Sequence, residues 1–146
     1  MAGEIGEKFA SRVKAELEVA LDTGRTLAQT FSGIKDENDP VELGRDEVNS
    51  ILKIILDRNP SFVGIFTGWE PDAFDGMDRE FIDEDVHDAT GRFIPYWKRD
   101  KDGQIAGEAL MGYEKAGIGD YYQLPKKKKT NASSILTSIQ CRDKIP

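Results

Sequence analysis

Ile5, Phe9, Val13, Leu17 and Leu21 recur at every fourth position, and Leu27 and Phe31 carry the apolar side on past Gly24. That spacing predicts one long helix over residues 4–32, with Glu7, Lys8, Arg12, Lys14 and Glu16 on its other faces. At 1.5 Å per residue it is about 43 Å long. This exceeds what a domain of this size needs. Part of it is therefore expected to project or to pair with another chain, while its C-terminal half equally fits a helix folded onto its own core. A polar, proline-ended loop at 32–40 breaks it. Val48, Ile51, Leu52, Ile55 and Leu56 then share one face of a second helix, predicted over 42–57 and stopped by Asn59-Pro60.

From Phe62 the period changes. Residues 62–69 (F-V-G-I-F-T-G-W) are β-branched and aromatic and predict a strand. Residues 70–91 form a long acidic excursion with one helical turn at 78–81. A second strand at 92–99, a turn at Asp100-Lys101-Asp102-Gly103 and a partner strand at 104–113 predict a hairpin. Two helices followed by a strand, an excursion and a hairpin indicate an α+β domain with an antiparallel sheet.

With 146 residues the chain fits one domain with a proper core. Its net charge of -7 opposes a nucleic-acid partner, because phosphates would be repelled. No apolar run is long enough to span a membrane, and the first residues do not read as a signal peptide. Cys141 is the lone cysteine and says little about redox compartment.

Catalytic chemistry finds little support. His87 is the single histidine, in Asp85-Val86-His87-Asp88, and lacks the helical partner of an H-E-x-x-H site. The aspartates of the excursion lack the spacing of a calcium loop. No phosphate-binding or nucleophile-elbow pattern occurs. An enzyme is not expected, and neither is a metal.

Residues 64–99 instead concentrate aromatics beside fixed charges, the composition of a small-ligand pocket or of a core with a solvated acidic loop. Alternation places Arg92, Ile94 and Tyr96 on one face of their strand and Phe93, Pro95 and Trp97 on the other. Arg92 and Tyr96 can then share a site, while Trp97 most simply packs in the core unless a bulge re-aims it. A guanidinium suits bidentate capture of a carboxylate. The alternative use of Arg92 is a salt bridge to the acidic excursion.

The order of elements, with N-P at 59–60, G-W-E-P-D-A-F-D-G-M-D at 68–78, T-G-R-F-I-P-Y-W at 90–97 and G-D-Y-Y-Q-L-P-K at 119–126, resembles the membrane-distal part of double Cache domains. These are the PAS-like extracytoplasmic sensor modules of methyl-accepting chemotaxis proteins and sensor histidine kinases. The resemblance covers about residues 5–127. It implies a periplasmic or extracellular domain of a membrane receptor, dimers through the long first helix, and a small-molecule ligand: an amino acid, an amine or an organic acid. By the same resemblance the ligand-binding set is Trp69, Asp75, Arg92, Tyr96, Trp97, Asp120, Tyr121 and Tyr122, with 69–88 as a lid-like connection. The amino-acid-binding pattern Y-x-x-x-x-R-x-W is not met, since position 87 is His and position 94 is Ile. The haem signature C-x-x-C-H is also absent, so no cofactor is expected. The other function in view is a non-sensing protein-interaction domain.

After the lysines at 126–129 the resemblance stops. In a shifted reading frame, permitted codons from Ala132 onward spell V-V-D-P-Y-L-Y-P-V-Q-G, the continuation such domains have. Residues 128–146 are therefore expected to be a frameshifted tail, leaving the sheet short of its closing strands, with an exposed edge and marginal stability.

Overall fold

A computed structural model of the chain describes residues 2–128 and 135–141. Helix α1 (Ala2–Ser32) runs into a 3-10 turn at Gly33–Lys35; α2 (Arg45–Arg58) and strand β1 (Phe62–Trp69) follow. The excursion holds a 3-10 turn at Asp78–Phe81, and β2 (Pro95–Arg99), β3 (Ile105–Ala109), α3 (Asp120–Lys128) and β4 (Ile135–Cys141) complete the order. The sheet is antiparallel throughout, in the order β3-β2-β1-β4.

Two departures from the sequence reading have local causes. Helix α2 starts later than expected because the Glu47 carboxylate accepts the Gly44 N–H at 2.9 Å, closing the first turn there. Strand β2 starts at Pro95 because residues 92–94 touch their neighbours only singly, through Trp69 N–H to Phe93 O and Leu110 N–H to Ile94 O.

The tail corrects an expectation. Ile135–Cys141 pairs with β1 along its length, from Trp69↔Ile135 to Phe62↔Cys141, so that edge of β1 is covered. Main-chain pairing needs only extended backbone, and the run I-L-T-S-I supplies β-compatible residues whatever its origin.

Each face of the sheet carries its own core. On one side Leu27 and Phe31 of α1 and Val48, Leu52 and Leu56 of α2 close over Phe62, Ile65 and Trp69, with Phe74 and Phe93 beside them. Each fully buried side chain of this kind stabilises the fold by roughly 1.5–3 kcal/mol. On the other side lie Phe66, Ile94, Leu110, Tyr113 and Tyr122. Helix α1 takes part only through its C-terminal half, where Ala20, Gly24, Leu27 and Phe31 are buried and the helix packs along β4. Four-residue spacing advances 400°, not 360°, per step of a 3.6-residue helix, so the stripe from Ile5 to Leu21 winds off the seat. Ile5 and Leu21 are 71% and 66% exposed, and the N-terminal half projects.

Gly107 stands opposite Trp97 in the β2–β3 ladder, and the six-membered ring of the indole packs against it. A Cβ at Gly107 would fall 2.7 Å from Trp97 Cη2, Trp97 Cζ3 and Val86 Cγ1. Gly107→Ala is expected to cost about 1–3 kcal/mol in urea unfolding by overpacking, whereas Ala106→Ser beside it changes stability by less than about 0.5 kcal/mol. A G107A protein as stable as the parent would mean that Trp97 is not held against β3.

Candidate functional site

The face of the sheet away from α1 and α2 carries a cavity of about 160 Å³ lined by Phe66, Tyr96, Glu108, Leu110, Met111 and Tyr121. Register explains it. Tyr96 and Glu108 are direct cross-strand partners on β2 and β3 and point to the same side. Phe66 comes from β1 and meets Tyr96 and Tyr121 edge-on, at 6.4 and 5.6 Å between ring centres. Tyr121 rides on α3 and is fixed by donating to Met111 O at 2.9 Å. The Glu108 carboxylate, at the lip, pairs with Lys98 at 2.8 Å.

Beside this cavity sits a buried polar brace. Arg92 donates to Trp69 O from Nε at 3.2 Å and from Nη2 at 2.9 Å, and Nη2 also reaches Tyr122 Oη at 2.8 Å. Tyr122 donates onward to Glu70. Burial, then the Glu70 acceptor, pushes the Tyr122 phenol up to about 12, so it stays protonated. Tyr113 places its ring 4.7 Å from the guanidinium carbon and donates to Asp88 at 3.0 Å. Gly68 lacks the side chain that would crowd the Tyr122 ring, whose Cε2 lies 3.2 Å from where a Cβ would be.

A second brace lies on the helix side. Arg45, at the start of α2, grips Asp75 with Nε and Nη2 at 2.8 and 2.7 Å, Asp78 at 2.8 Å and Gly91 O at 2.7 Å. Its guanidinium stacks 4.1 Å above Phe81. Gly91 has φ +67, and a Cβ there would strike the Asp78 carbonyl. Burial opposes ionisation of Asp75, but hydrogen bonds from Arg45 and the Met77 N–H outweigh it and hold the carboxyl below its usual range. His87, stacked on Phe81 at 5.0 Å, is lowered chiefly by burial.

The eight residues expected at the ligand therefore do not converge on one cavity. Tyr96 and Tyr121 line it. Arg92 and Tyr122 stand behind it, already bonded to each other. Trp69 is 1% exposed and packs edge-on against Phe74 in the helix-side core. Trp97 faces the same helix side and donates to Asn49 Oδ1 at 2.9 Å. Asp75 belongs to the Arg45 brace, and Asp120 accepts the Gly117 N–H at 3.0 Å at the start of α3. Phe66, Glu108, Leu110 and Met111 are the cavity residues that sequence reasoning missed; alternation along β3 from the hairpin turn carried the signal for Glu108.

No family model matches the chain. Solved structures do. The extracellular domains of two proteins assigned as histidine kinases, mmHK1S-Z3 and mmHK1S-Z2, superpose with TM-scores of 0.70 and 0.68 at 36% and 38% identity, over 82% and 86% of this chain. The fold is that of a Cache-type sensor domain. A structure titled Methyl-accepting Chemotaxis protein X adds a TM-score of 0.70 at 25% identity over 86% of the chain. The methyl-accepting chemotaxis protein TlpQ of Pseudomonas aeruginosa is 27% identical over 118 residues, 76% of this chain. The chain spans 41%, 44% and 45% of the three solved chains and 16% of TlpQ. The α+β class and the long N-terminal helix over an antiparallel sheet are those expected of such a sensor domain. Among the described residues no helix is long and apolar enough to cross a membrane.

Proposed function

We propose that this Cache-type domain is the extracytoplasmic small-molecule sensor of a chemoreceptor or sensor kinase, without catalysis of its own. The observation that carries this is the cavity framed by Tyr96, Tyr121 and Phe66 on the face free of α1 and α2. Aromatic walls with one carboxylate are what orient a small organic ligand. The volume is small beside the roughly 300–1,000 Å³ of drug-sized sites, so the ligand is small. Arg92 already serves Trp69 O and Tyr122, whereas among the described residues the Glu108 carboxylate pairs with the half-buried Lys98 at the lip. This favours an amine end at Glu108 over a carboxylate at Arg92. The projecting stripe of α1, with Ile5, Phe9 and Leu17 exposed, supports pairing of two copies through that helix. The same stripe is what would favour a plain protein-interaction domain.

A thermal-shift screen of amines, amino acids and organic acids tests the sensing reading. A ligand at a hundred times its Kd adds about 2.7 kcal/mol to stability. Tyr121→Ala and Tyr96→Ala are each expected to weaken the best ligand about tenfold, or ~1.4 kcal/mol, with the protein still folded. Cooperative melting that none of the three classes moves would leave the interaction domain as the better reading.

A further inference from the structure

A larger concavity opens on the opposite side of the sheet, between α2, the excursion and the β2–β3 hairpin, with a volume of about 670 Å³. It shares no lining residue with the cavity under Tyr121. Its lining includes two aromatic side chains, Trp97 and Phe81, the latter already carrying Arg45 and His87 on its ring.

Two polar side chains in it have hydrogen-bonding capacity that the described residues leave unused. Asn49 is 7% exposed, and its Oδ1 accepts the Trp97 indole N–H at 2.9 Å. Because an indole only donates, this contact fixes the oxygen and hence the amide nitrogen. None of the hydrogen bonds among the described residues engages that Nδ2. His87 is the second. Its Nδ1 lies 2.7 Å from Asp85 O, a carbonyl that can only accept, so Nδ1 carries the proton. Nε2 is then a lone-pair acceptor, and it is buried with no partner. A buried acceptor such as His87 Nε2 left without a donor costs about 1–3 kcal/mol, unless something brings the missing half.

The charge around the opening selects the sign of that partner. Asp46, Glu80, Glu84 and Asp85 line it against Arg45 and Lys53. Arg45 is already matched by Asp75 and Asp78, and the Lys53 ammonium sits over the Trp97 ring at 4.8 Å. The carboxylates therefore outnumber the cations.

We propose that this cleft is a second ligand site, taking a small protonated amine that also carries a hydroxyl or amide oxygen. The ammonium donates to His87 Nε2 and to the carboxylate rim, the oxygen accepts from Asn49 Nδ2, and the carbon skeleton lies beside Trp97 and Val86. This site does not depend on the sensing cavity.

Ethanolamine is the probe, with propionate as the anionic control, titrated into the full chain under NMR observation. As the single histidine, His87 gives one pair of imidazole nitrogen resonances. Ethanolamine is expected to shift its Nε2 resonance and the Asn49 amide protons saturably, with one apparent Kd. His87→Phe keeps the stacking but removes the acceptor, and Glu84→Gln alters an exposed rim carboxylate; each is expected to weaken binding about tenfold. Tyr121→Ala, in the other cavity, leaves the His87 and Asn49 shifts and their midpoint unchanged, whatever it does to binding beside Tyr96. Saturable shifts confined to Tyr96 and Tyr121, an unresponsive His87, or propionate binding as tightly as ethanolamine would each overturn the assignment.

Discussion

Replacing Arg45 by methionine is expected to remove about 3–5 kcal/mol of stability, the cost of breaking a buried ion pair from one side. Methionine fills the guanidinium stem's volume against Phe81 but takes the side-chain donor from Asp75, Asp78 and the Gly91 carbonyl, leaving the carboxylates only the main-chain N–H groups of Met77 and Asp72 among the described residues. With a urea m-value of about 1–3 kcal/mol/M for a domain of this size, the midpoint falls by about 1 M or more. The pH dependence distinguishes electrostatics from packing. Asp75 has a folded pKa below its ordinary value, so its contribution is present above about pH 4 and lost as pH falls through the folded pKa. Without Arg45 the burial of that carboxyl is opposed mainly by the Met77 N–H, and protonation relieves it. The gap between the parent and R45M is therefore expected to narrow between pH 7 and pH 4. A gap of constant size would mean that Arg45 acts through packing alone.

Arg92→Ala is expected to cost about 1.5–3 kcal/mol for its charged hydrogen bonds and to act first on stability. The guanidinium ties the Trp69 carbonyl to Tyr122 and, through it, to Glu70. Loss of that tie should free α3 from β1, read as faster amide exchange around Tyr122. Arg92→Lys should recover only part of the loss, because a single ammonium cannot reproduce the planar fork. If Arg92 instead grips a ligand carboxylate, R92A would keep the parent's unfolding midpoint and lose organic-acid binding alone. Equilibrium unfolding beside a thermal-shift series on the same variant separates the two.

Much of the framework was legible in the residues, for identifiable reasons. The span of β1 and the turn at Asp78–Phe81 follow from composition and turn chemistry, which act over a few positions. The faces of Arg92, Ile94 and Tyr96 against Phe93 and Trp97 follow from strand alternation alone. The Arg45 brace was not legible. Arg45 reads as one more charge opening a helix, and its partners lie 30, 33 and 46 positions away. Helix α3 was missed because Gly117 and Gly119 mark a loop more strongly than Asp120-Tyr121-Tyr122 marks a helix start. The candidate site was half legible: Tyr96 and Tyr121 announce themselves as aromatics, but Glu108 becomes informative only once the register places it opposite Tyr96. Trp69 and Trp97 misled because an aromatic suits a core as well as a pocket.

The seating of α1 sets a mechanical ratio. Only Ala20, Gly24, Leu27 and Phe31 anchor it, all within its second half. The residues before Ala20 form an arm of roughly 27 Å at 1.5 Å per residue. A tilt of about 5° at the seat, well under 1 Å of motion where Leu27 meets the core, swings the free end by roughly 2 Å. Stiffness along that arm comes from its unbroken main-chain ladder, so a displacement made where α1 lies along β4 arrives at the far end enlarged several-fold.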